Sequence, residues 1–157
     1  MDKKSSRLLA PFLVVMLVMA VHACAPKRVQ VYETVDGARG DIIQQAISVL
    51  GRPYKNGAKG PDSFDCSGLI HYVYKRVSVT LPVTAEKQIE AGLDVPPANI
   101  LPGDLVFFKI KKDFHAGIML NKKDFIHSSK TKGVSVDNIE SSYWKRNLLC
   151  FRSILQY

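Results

Sequence analysis

One cysteine of this chain, Cys66, stands where its thiol could act as a nucleophile. It comes directly before the segment 67–77, whose apolar residues recur at helical spacing, so the sequence predicts that Cys66 begins a helix. A thiol in the first turn of a helix lies close to unpaired backbone N–H groups and to the positive end of the helix dipole, and both lower its pKa. The same N–H groups can stabilise the oxyanion of an acyl-transfer reaction. Cys66 is therefore the candidate nucleophile.

A nucleophilic cysteine needs a base, and the base needs a group that orients it. Of the four histidines, His22 lies in the apolar N-terminal segment and His71 lies inside the helix that Cys66 begins. His115 and His127 remain, one on each side of a predicted hairpin turn. They are the candidate base and the candidate orienting residue.

The length of the hairpin turn decides whether these two imidazoles can meet. Side chains alternate between the two faces of a strand, so the register sets the face of each histidine. A loop over residues 121–123 puts Gly117 opposite His127 and makes His115 a diagonal neighbour on the same face, about 7–8 Å away between backbones. A two-residue loop would put the rings on opposite faces. We predict a loop of odd length, or a bulge with the same effect, and rings within hydrogen-bond reach.

The residue types alone leave two other interpretations open. Cys66 could be an inert core thiol that accompanies two structural histidines. In an exported protein it could also form a disulfide with Cys150, which lies in the apolar run 148–151. A chain with that disulfide would be a binding protein without catalytic activity.

The elements that must position these residues change character along the chain. Helical periodicity comes first, in residues 41–50 with Asp41 as the N-cap, in the segment that begins at Cys66, and in residues 84–91. Short β-like runs separated by turn residues follow, over residues 105–108, 116–120, 125–128, 133–136 and 149–155. Helices followed by strands predict an α+β domain, in which N-terminal helices pack on a mostly antiparallel sheet of five to six strands.

The N-terminal segment has the features of an export signal. An uncharged run over residues 8–21 follows a basic start, and it is shorter than the roughly 20 apolar residues that cross a bilayer. A small residue, Ala23, then precedes Cys24, as in a bacterial lipobox. We predict that residues 1–23 are removed and that Cys24 carries acyl chains such as palmitate, which anchor the protein without spanning the membrane. Ala25 after the cysteine favours the outer membrane, and an ordinary signal peptide cut nearby is the alternative.

Composition and charge restrict the rest of the chain. The 157 residues suffice for one domain with a core, and 46% hydrophobic residues are typical of a globular protein. We expect residues 24–40 to form the lipidated N-terminus and tether, and residues 41–157 to form the domain. Removal of residues 1–23 lowers the net charge from +8 to +6, which still favours anionic partners, and the export signal argues against nucleic acid. The sequence contains no cysteine, histidine and carboxylate cluster that calls for a metal, and we expect a monomer without cofactors.

Several short motifs, in the same order, resemble those of the NlpC-type family of bacterial cell-wall cysteine peptidases. The resemblance runs from about residue 41 to residue 155, and its most specific part is Phe-Asp-Cys-Ser-Gly-Leu-Ile at 64–70. The segments 101–108, 115–118 and 125–129 are similar to the family's first core strand, the strand of the base and the strand of the third catalytic residue. The resemblance implies a compact papain-like fold.

The resemblance also implies a role for each residue of one set. They are the nucleophile Cys66, the base His115, the orienting residue His127, the oxyanion-site residue Tyr54 and the substrate-binding residues Asp65 and Ser67. Helix capping is an equally good interpretation of Asp65. The chain departs from the family pattern at Ala58, where a second glycine is usual, and at Val83, where an arginine is common.

The activity implied by the resemblance is that of a cell-wall hydrolase. It would be a cysteine endopeptidase that cleaves peptide stems or crosslinks of peptidoglycan through a thioester on Cys66. Family members divide between the γ-D-glutamyl to diaminopimelate bond and the D-alanyl to diaminopimelate crosslink, and the sequence fits either. We expect a lipid-anchored protein of the bacterial cell envelope that faces the periplasm. The alternatives are another thiol amidase or acyltransferase on the same fold, and a non-catalytic wall-binding lipoprotein.

Overall fold

The computed structural model describes residues 37–155. The predicted signal segment 1–23, the lipidation site Cys24 and most of the tether lie outside the described residues. No helix within the described range has the length and the apolar character needed to cross a membrane.

Four α-helices are present in the described residues, and three of them were predicted. They are α1 (Ala38–Ser48), α2 (Cys66–Arg76), α3 (Ala85–Gln88) and α4 (Ser142–Asn147). Helix α1 begins ahead of Asp41, because Gly37 at φ 75° occupies the N-cap, so the prediction of Asp41 as N-cap is wrong. The Asp41 carboxylate lies instead in the first turn, where it interacts favourably with the helix dipole.

Within the described part of the chain, six strands form one antiparallel sheet. They are β1 (Leu93–Asp94), β2 (Leu105–Ile110), β3 (Asp113–Met119), β4 (Asp124–Ser129), β5 (Gly133–Asn138) and β6 (Leu148–Ser153), in the order β1-β6-β2-β3-β4-β5. The five predicted strands are all found, and the α+β fold class is confirmed. The two-residue strand β1 and helix α4 were missed, because segments this short carry no clear hydrophobic period.

Apolar side chains cover both faces of the sheet. In β2, Leu105 and Phe107 join the cluster that packs under α1 and α2, while Val106 and Phe108 join a second cluster around Trp144 of α4. A strand buried on both faces has a continuous apolar sequence instead of an alternating one, which explains the Leu-Val-Phe-Phe run. The sheet is therefore a rigid layer from which side chains can project in fixed directions.

An arginine near the start of α1 links this helix to the turn that precedes β2. Arg39 Nη1 donates to Asp104 Oδ1 at 2.9 Å and to the Pro102 carbonyl at 2.8 Å, and Nη2 donates to Ser153 Oγ at 3.0 Å. The Asp104 side chain is fully buried, so its charge has to be paired within the protein. This ion pair fixes one end of the helical layer on the sheet.

Candidate active site

The predicted nucleophile is the first residue of α2. Asp65 is the N-cap of this helix, and its Oδ1 accepts a hydrogen bond from the Gly68 N–H at 2.6 Å. A side chain at position 68 would bring Cβ within 2.1 Å of the Ala58 carbonyl oxygen, so this glycine lets the first turn pack closely against the preceding loop. The helix start that carries Cys66 is therefore held from two sides.

The environment of the Cys66 thiol favours its protonated form. Burial raises the pKa of Cys66, and the nearby Asp65 carboxylate raises it further. The backbone N–H groups of Ala116, Ser67 and Cys66 itself act in the opposite direction but do not compensate. Because Ala116 belongs to β3, the thiol lies against the strand that carries His115.

The two histidines meet as the register argument predicted. Ile118 pairs with Ile126 and Met119 with Phe125, which is the register of the odd-length loop. Nε2 of His115 and Nδ1 of His127 lie 2.8 Å apart and share a hydrogen bond, with the ring planes at 83° to each other. This part of the prediction is confirmed.

The imidazole of His115 is neutral at physiological pH. Burial lowers the pKa of His115 to about 3, and the neighbouring His127 and Lys130 act in the same direction. Burial also lowers the pKa of His127, although Asp137 opposes this shift. A neutral imidazole beside a protonated thiol has the correct protonation state for a general base.

Asp137 is bonded in series with His127 and His115, and it was not predicted from the sequence. Its Oδ2 lies 3.0 Å from Nε2 of His127, and its Oδ1 accepts a hydrogen bond from Lys132 Nζ at 3.0 Å. His127 is paired with Ser135, so Asp137 is its diagonal neighbour on the same face. Diagonal neighbours across paired strands predicted the contact of His115 with His127. The same argument, applied to the pairing of β4 with β5, would have identified this carboxylate.

Trp144 encloses the histidines from α4. Its ring stacks on His115 with centroids 5.4 Å apart and an interplanar angle of 25°. It meets His127 edge-on at 5.0 Å, and its Nε1 donates to Asp137 Oδ2 at 3.2 Å. The only tryptophan of the chain thus shields the imidazoles from water, and it was missed because α4 was missed.

Tyr54 lies in a loop that is bonded to the segment preceding the nucleophile. The Lys55 N–H donates to the Phe64 carbonyl and the Phe64 N–H donates to the Pro53 carbonyl, each at 3.1 Å. Burial raises the pKa of the Tyr54 phenol, and the proximity of Cys66 and Asp65 raises it further. The hydroxyl is therefore protonated and able to donate a hydrogen bond next to the thiol.

Asp65 and Ser67 both have internal partners. Lys59 Nζ donates to Asp65 Oδ2 at 2.9 Å and to Oδ1 at 3.1 Å, in addition to the capping bond of the same carboxylate. Ser67 Oγ donates to the Val83 carbonyl at 2.9 Å. The capping interpretation of Asp65 is therefore observed, and the substrate-binding role of the two residues stays a prediction.

All six predicted catalytic and substrate-binding residues line one cleft of about 960 Å³. They are Cys66, His115, His127, Tyr54, Asp65 and Ser67. Val83 and Tyr143 also line the cleft and are 47% and 49% exposed, which puts apolar surface at its entrance. Within residues 37–155, no group of three or more histidine, cysteine or carboxylate side chains is arranged to hold a metal ion.

Two other residues with reactive side chains lie outside this cleft. His71 Nδ1 is bonded to the Leu81 carbonyl at 2.8 Å, in agreement with its expected place as a helix residue. Cys150 lies on β6 opposite Phe107, and both Cys66 and Cys150 are free thiols. The disulfide of the binding-protein alternative is therefore not formed.

Comparison with known proteins assigns this arrangement to a family. The sequence profile described as the NlpC/P60 family matches residues 51–153, a range that includes every residue of the cleft predicted above to be catalytic. The chain belongs to the NlpC/P60 family. The papain-like fold that the motifs implied is confirmed, because solved structures of NlpC/P60 proteins share this fold.

Relatives of the NlpC/P60 domain include proteins of very different length. The probable endopeptidase NlpC of Escherichia coli (strain K12) is 31% identical over 137 residues, which cover 85% of this chain and 88% of that protein. The gamma-DL-glutamyl hydrolase of Bacillus subtilis (strain 168) is 37% identical over 124 residues, which cover 74% of this chain and only 30% of the relative.

Among solved structures, an NlpC/P60 family protein from Bacillus cereus ATCC 10987 superimposes with a TM-score of 0.72 at 26% identity. That match covers 76% of this chain and 41% of the Bacillus cereus chain. Like the match to the Bacillus subtilis hydrolase, it is confined to one part of a longer protein.

Proposed function

We propose that this NlpC/P60 protein is a cell-wall hydrolase, a cysteine endopeptidase that cleaves peptide stems or crosslinks of peptidoglycan. The observation that carries the proposal is the 2.8 Å hydrogen bond between His115 and His127 in the cleft that also contains the Cys66 thiol. Nucleophile, base and orienting group are the minimum set for acyl transfer by a cysteine. Relatives named endopeptidase and gamma-DL-glutamyl hydrolase support the same class of reaction.

In the first half of the reaction, Cys66 attacks the carbonyl carbon of the scissile amide. His115 takes the thiol proton as Sγ forms its bond to carbon, because both groups are neutral before the substrate arrives. Negative charge develops on the carbonyl oxygen. The backbone N–H of Cys66 and the Tyr54 hydroxyl are the donors that we propose for this oxyanion.

In the second half, the same groups act in reverse. His115 returns the proton to the amine nitrogen, the C–N bond breaks and a thioester remains on Cys66. Water then attacks the thioester carbonyl while His115 removes a proton from the water. The C–S bond breaks as His115 passes that proton to Sγ, which releases the acid and restores the thiol. His127 holds the His115 ring in place through both steps.

Asp65 and Ser67 are proposed to hold polar groups of the stem peptide next to the nucleophile. Both side chains line the cleft although each has an internal partner. A carboxylate has up to four lone-pair sites, so Asp65 can accept a further hydrogen bond while it caps α2 and binds Lys59.

The location that we propose is the bacterial cell envelope, with the chain attached through lipid on Cys24 to the outer membrane and facing the periplasm. The lipobox-like sequence before Cys24 supports this attachment. Export of Cys24→Ala in place of the wild-type chain should release the protein from the membrane fraction. A variant that stays in that fraction would contradict the lipid anchor.

Digestion of purified peptidoglycan sacculi tests the activity. We expect the wild-type protein to release new muropeptides, identified by mass spectrometry, and Cys66→Ala to release none. The masses distinguish a cut within a stem from a cut in a crosslink. Cys150→Ala is the matched control, because this second free thiol lies outside the cleft, and it should retain activity. A wild-type protein that binds sacculi without releasing fragments would favour the non-catalytic alternative.

A further inference from the structure

The orienting histidine has a second partner on the side away from His115. Nε2 of His127 lies 3.0 Å from Oδ2 of Asp137. The Trp144 Nε1–H donates to the same oxygen at 3.2 Å, and Lys132 Nζ donates to the other oxygen at 3.0 Å. His127, Trp144 and Lys132 thus hold the carboxylate of Asp137 in place. This carboxylate follows His127 in the series of side chains that begins with Cys66 and His115.

The charge of Asp137 decides where the hydrogen of its bond to His127 resides. Burial raises the pKa of Asp137, but the hydrogen bonds from Lys132 and His127 outweigh it and hold the pKa below its ordinary value. The carboxyl is therefore ionised and can only accept hydrogen bonds. Nε2 of His127 must carry the hydrogen.

The tautomer of His127 in turn determines the tautomer of His115. A neutral imidazole has one N–H, so Nδ1 of His127 has a free lone pair and accepts the 2.8 Å bond. Nε2 of His115 must then donate it. The neutral His115 ring has only Nδ1 left with a free lone pair, and Nδ1 is the nitrogen that can take a proton from the thiol of Cys66.

We propose that Asp137 is a positioning residue that sets the tautomers of both histidines and thereby makes Nδ1 of His115 the base. Its catalytic consequence rests on the proposed function, whereas the tautomers are properties of the unliganded protein. The carboxylate also stabilises, through His127, the positive charge that forms on His115 when the thiol is deprotonated. Without Asp137, both histidines could adopt the Nδ1–H tautomer. His115 would then present a hydrogen to the thiol instead of a lone pair.

The direct test is the tautomer of each histidine in the full chain, read from long-range ¹H–¹⁵N NMR of ¹⁵N-histidine-labelled protein. We expect His115 and His127 as Nε2–H tautomers in the wild type. His71 is an internal reference with the opposite tautomer, because its Nδ1 faces a carbonyl that can only accept. In Asp137→Asn, whose amide can donate as well as accept, we expect a mixture of tautomers at both positions. Nδ1–H tautomers in the wild type, or tautomers that stay unchanged in both Asp137→Asn and Asp137→Ala, which lacks both acceptor oxygens, would overturn the proposal.

Kinetics on soluble muropeptides give a second readout. Asp137→Asn should lower kcat by about tenfold to a hundredfold, the usual cost of losing an outer partner of a functional histidine, with little change in KM. The matched control is Asp94→Asn, which weakens another carboxylate contact between two strands, the 2.9 Å ion pair with Arg152 between β1 and β6, outside the cleft. It should leave kcat and both tautomers unchanged.

Two results separate this proposal from the proposed function. A kcat equal to that of the wild type in both Asp137→Asn and Asp137→Ala would overturn the positioning role. A wild-type protein without hydrolase activity would contradict the proposed function, while the NMR experiment would still decide the tautomers.

Discussion

At the scale of single residues, burial controls the chemistry of this cleft. It raises the pKa of the Cys66 thiol and lowers the pKa of the His115 imidazole, so both groups are neutral before reaction. The helix start alone would favour a thiolate. The outcome differs because desolvation and the Asp65 carboxylate outweigh the backbone N–H groups.

The alkylation rate of Cys66 should therefore be low at neutral pH. Thiolate is the reacting form, and a raised pKa means that its fraction grows about tenfold with each pH unit until the pH exceeds that pKa. Iodoacetamide labelling followed by peptide mass spectrometry measures Cys66 separately from Cys150. A rate that is already maximal between pH 5 and pH 8, roughly the range in which a thiolate–imidazolium pair persists, would contradict this prediction.

Lys59 moderates the effect of Asp65 on the thiol. Its ammonium group binds both oxygens of the carboxylate, so it offsets the negative charge beside Cys66. Lys59→Met should raise the pKa of Cys66 and slow its alkylation at pH 8, whereas Asp65→Asn should lower the pKa and accelerate it. The same direction of change in both variants would show that charge is not the cause.

At the scale of elements, the site depends on the start of α2 and on the approach of β3 to β4. The first is fixed by a side-chain cap and the second by a glycine. Both features are local, so substitutions can separate the stability of an element from the chemistry of the thiol.

The cap of α2 should contribute measurably to stability. Asp65→Ala removes the acceptor of the Gly68 N–H and should lower the free energy of unfolding by about 1 kcal/mol, whereas Asp65→Asn retains an acceptor and should cost less. Thr84→Ala is the matched control, because this N-cap of α3 makes no capping hydrogen bond through its side chain. Urea unfolding measures all three variants, and equal losses for Asp65→Ala and Thr84→Ala would contradict the role of the cap.

Gly117 allows the two histidine strands to approach. A Cβ there would lie 2.6 Å from Cδ2 of Phe125 and 2.9 Å from the Ile126 carbonyl oxygen, so Gly117→Ala should shift β4. We expect a loss of about 1–3 kcal/mol in stability and a reduced rate of hydrolysis, because the bond between His115 and His127 is displaced.

Ser135→Ala is the control for Gly117→Ala within the same sheet. The buried Ser135 hydroxyl has no hydrogen-bond partner among the described residues, so its removal should cost little. Unfolding curves and muropeptide release measure both variants. Full activity in a stable Gly117→Ala protein would show that the strands tolerate the larger separation.

At the scale of the whole molecule, the buried histidines make the fold sensitive to acid. His115 has a pKa of about 3 in the folded protein against 6.5 ordinarily, so between these values the unfolded chain binds more protons. Stability is therefore fully present above pH 6.5 and falls as the pH decreases towards 3. The lowered pKa of His127 acts in the same direction.

The urea midpoint should consequently decrease between pH 6.5 and pH 4, and the decrease should be smaller in His115→Gln, which has no imidazole to protonate at this position. The comparison between the two proteins isolates the contribution of His115 from that of the carboxylates. An equal loss of stability in both would mean that His115 is protonated in the folded protein at mildly acidic pH.

The sequence by itself determined the order of helices and strands, the start of α2 at Cys66 and the meeting of His115 with His127. These features depend on periodicity, on capping residues and on strand parity, which act over a few residues or across a single hairpin. The motifs around Cys66, His115 and His127 also indicated the family.

Only the tertiary structure decided which distant groups complete the site. Asp137 contacts His127 from β5, and Trp144 covers the imidazoles from α4. Lys59 offsets the negative charge of the carboxylate that caps α2. The protonation states of Cys66 and His115 were decided at the same level. Burial is the main cause of both pKa shifts, and burial is a property of the packed chain that no local spacing of residues contains.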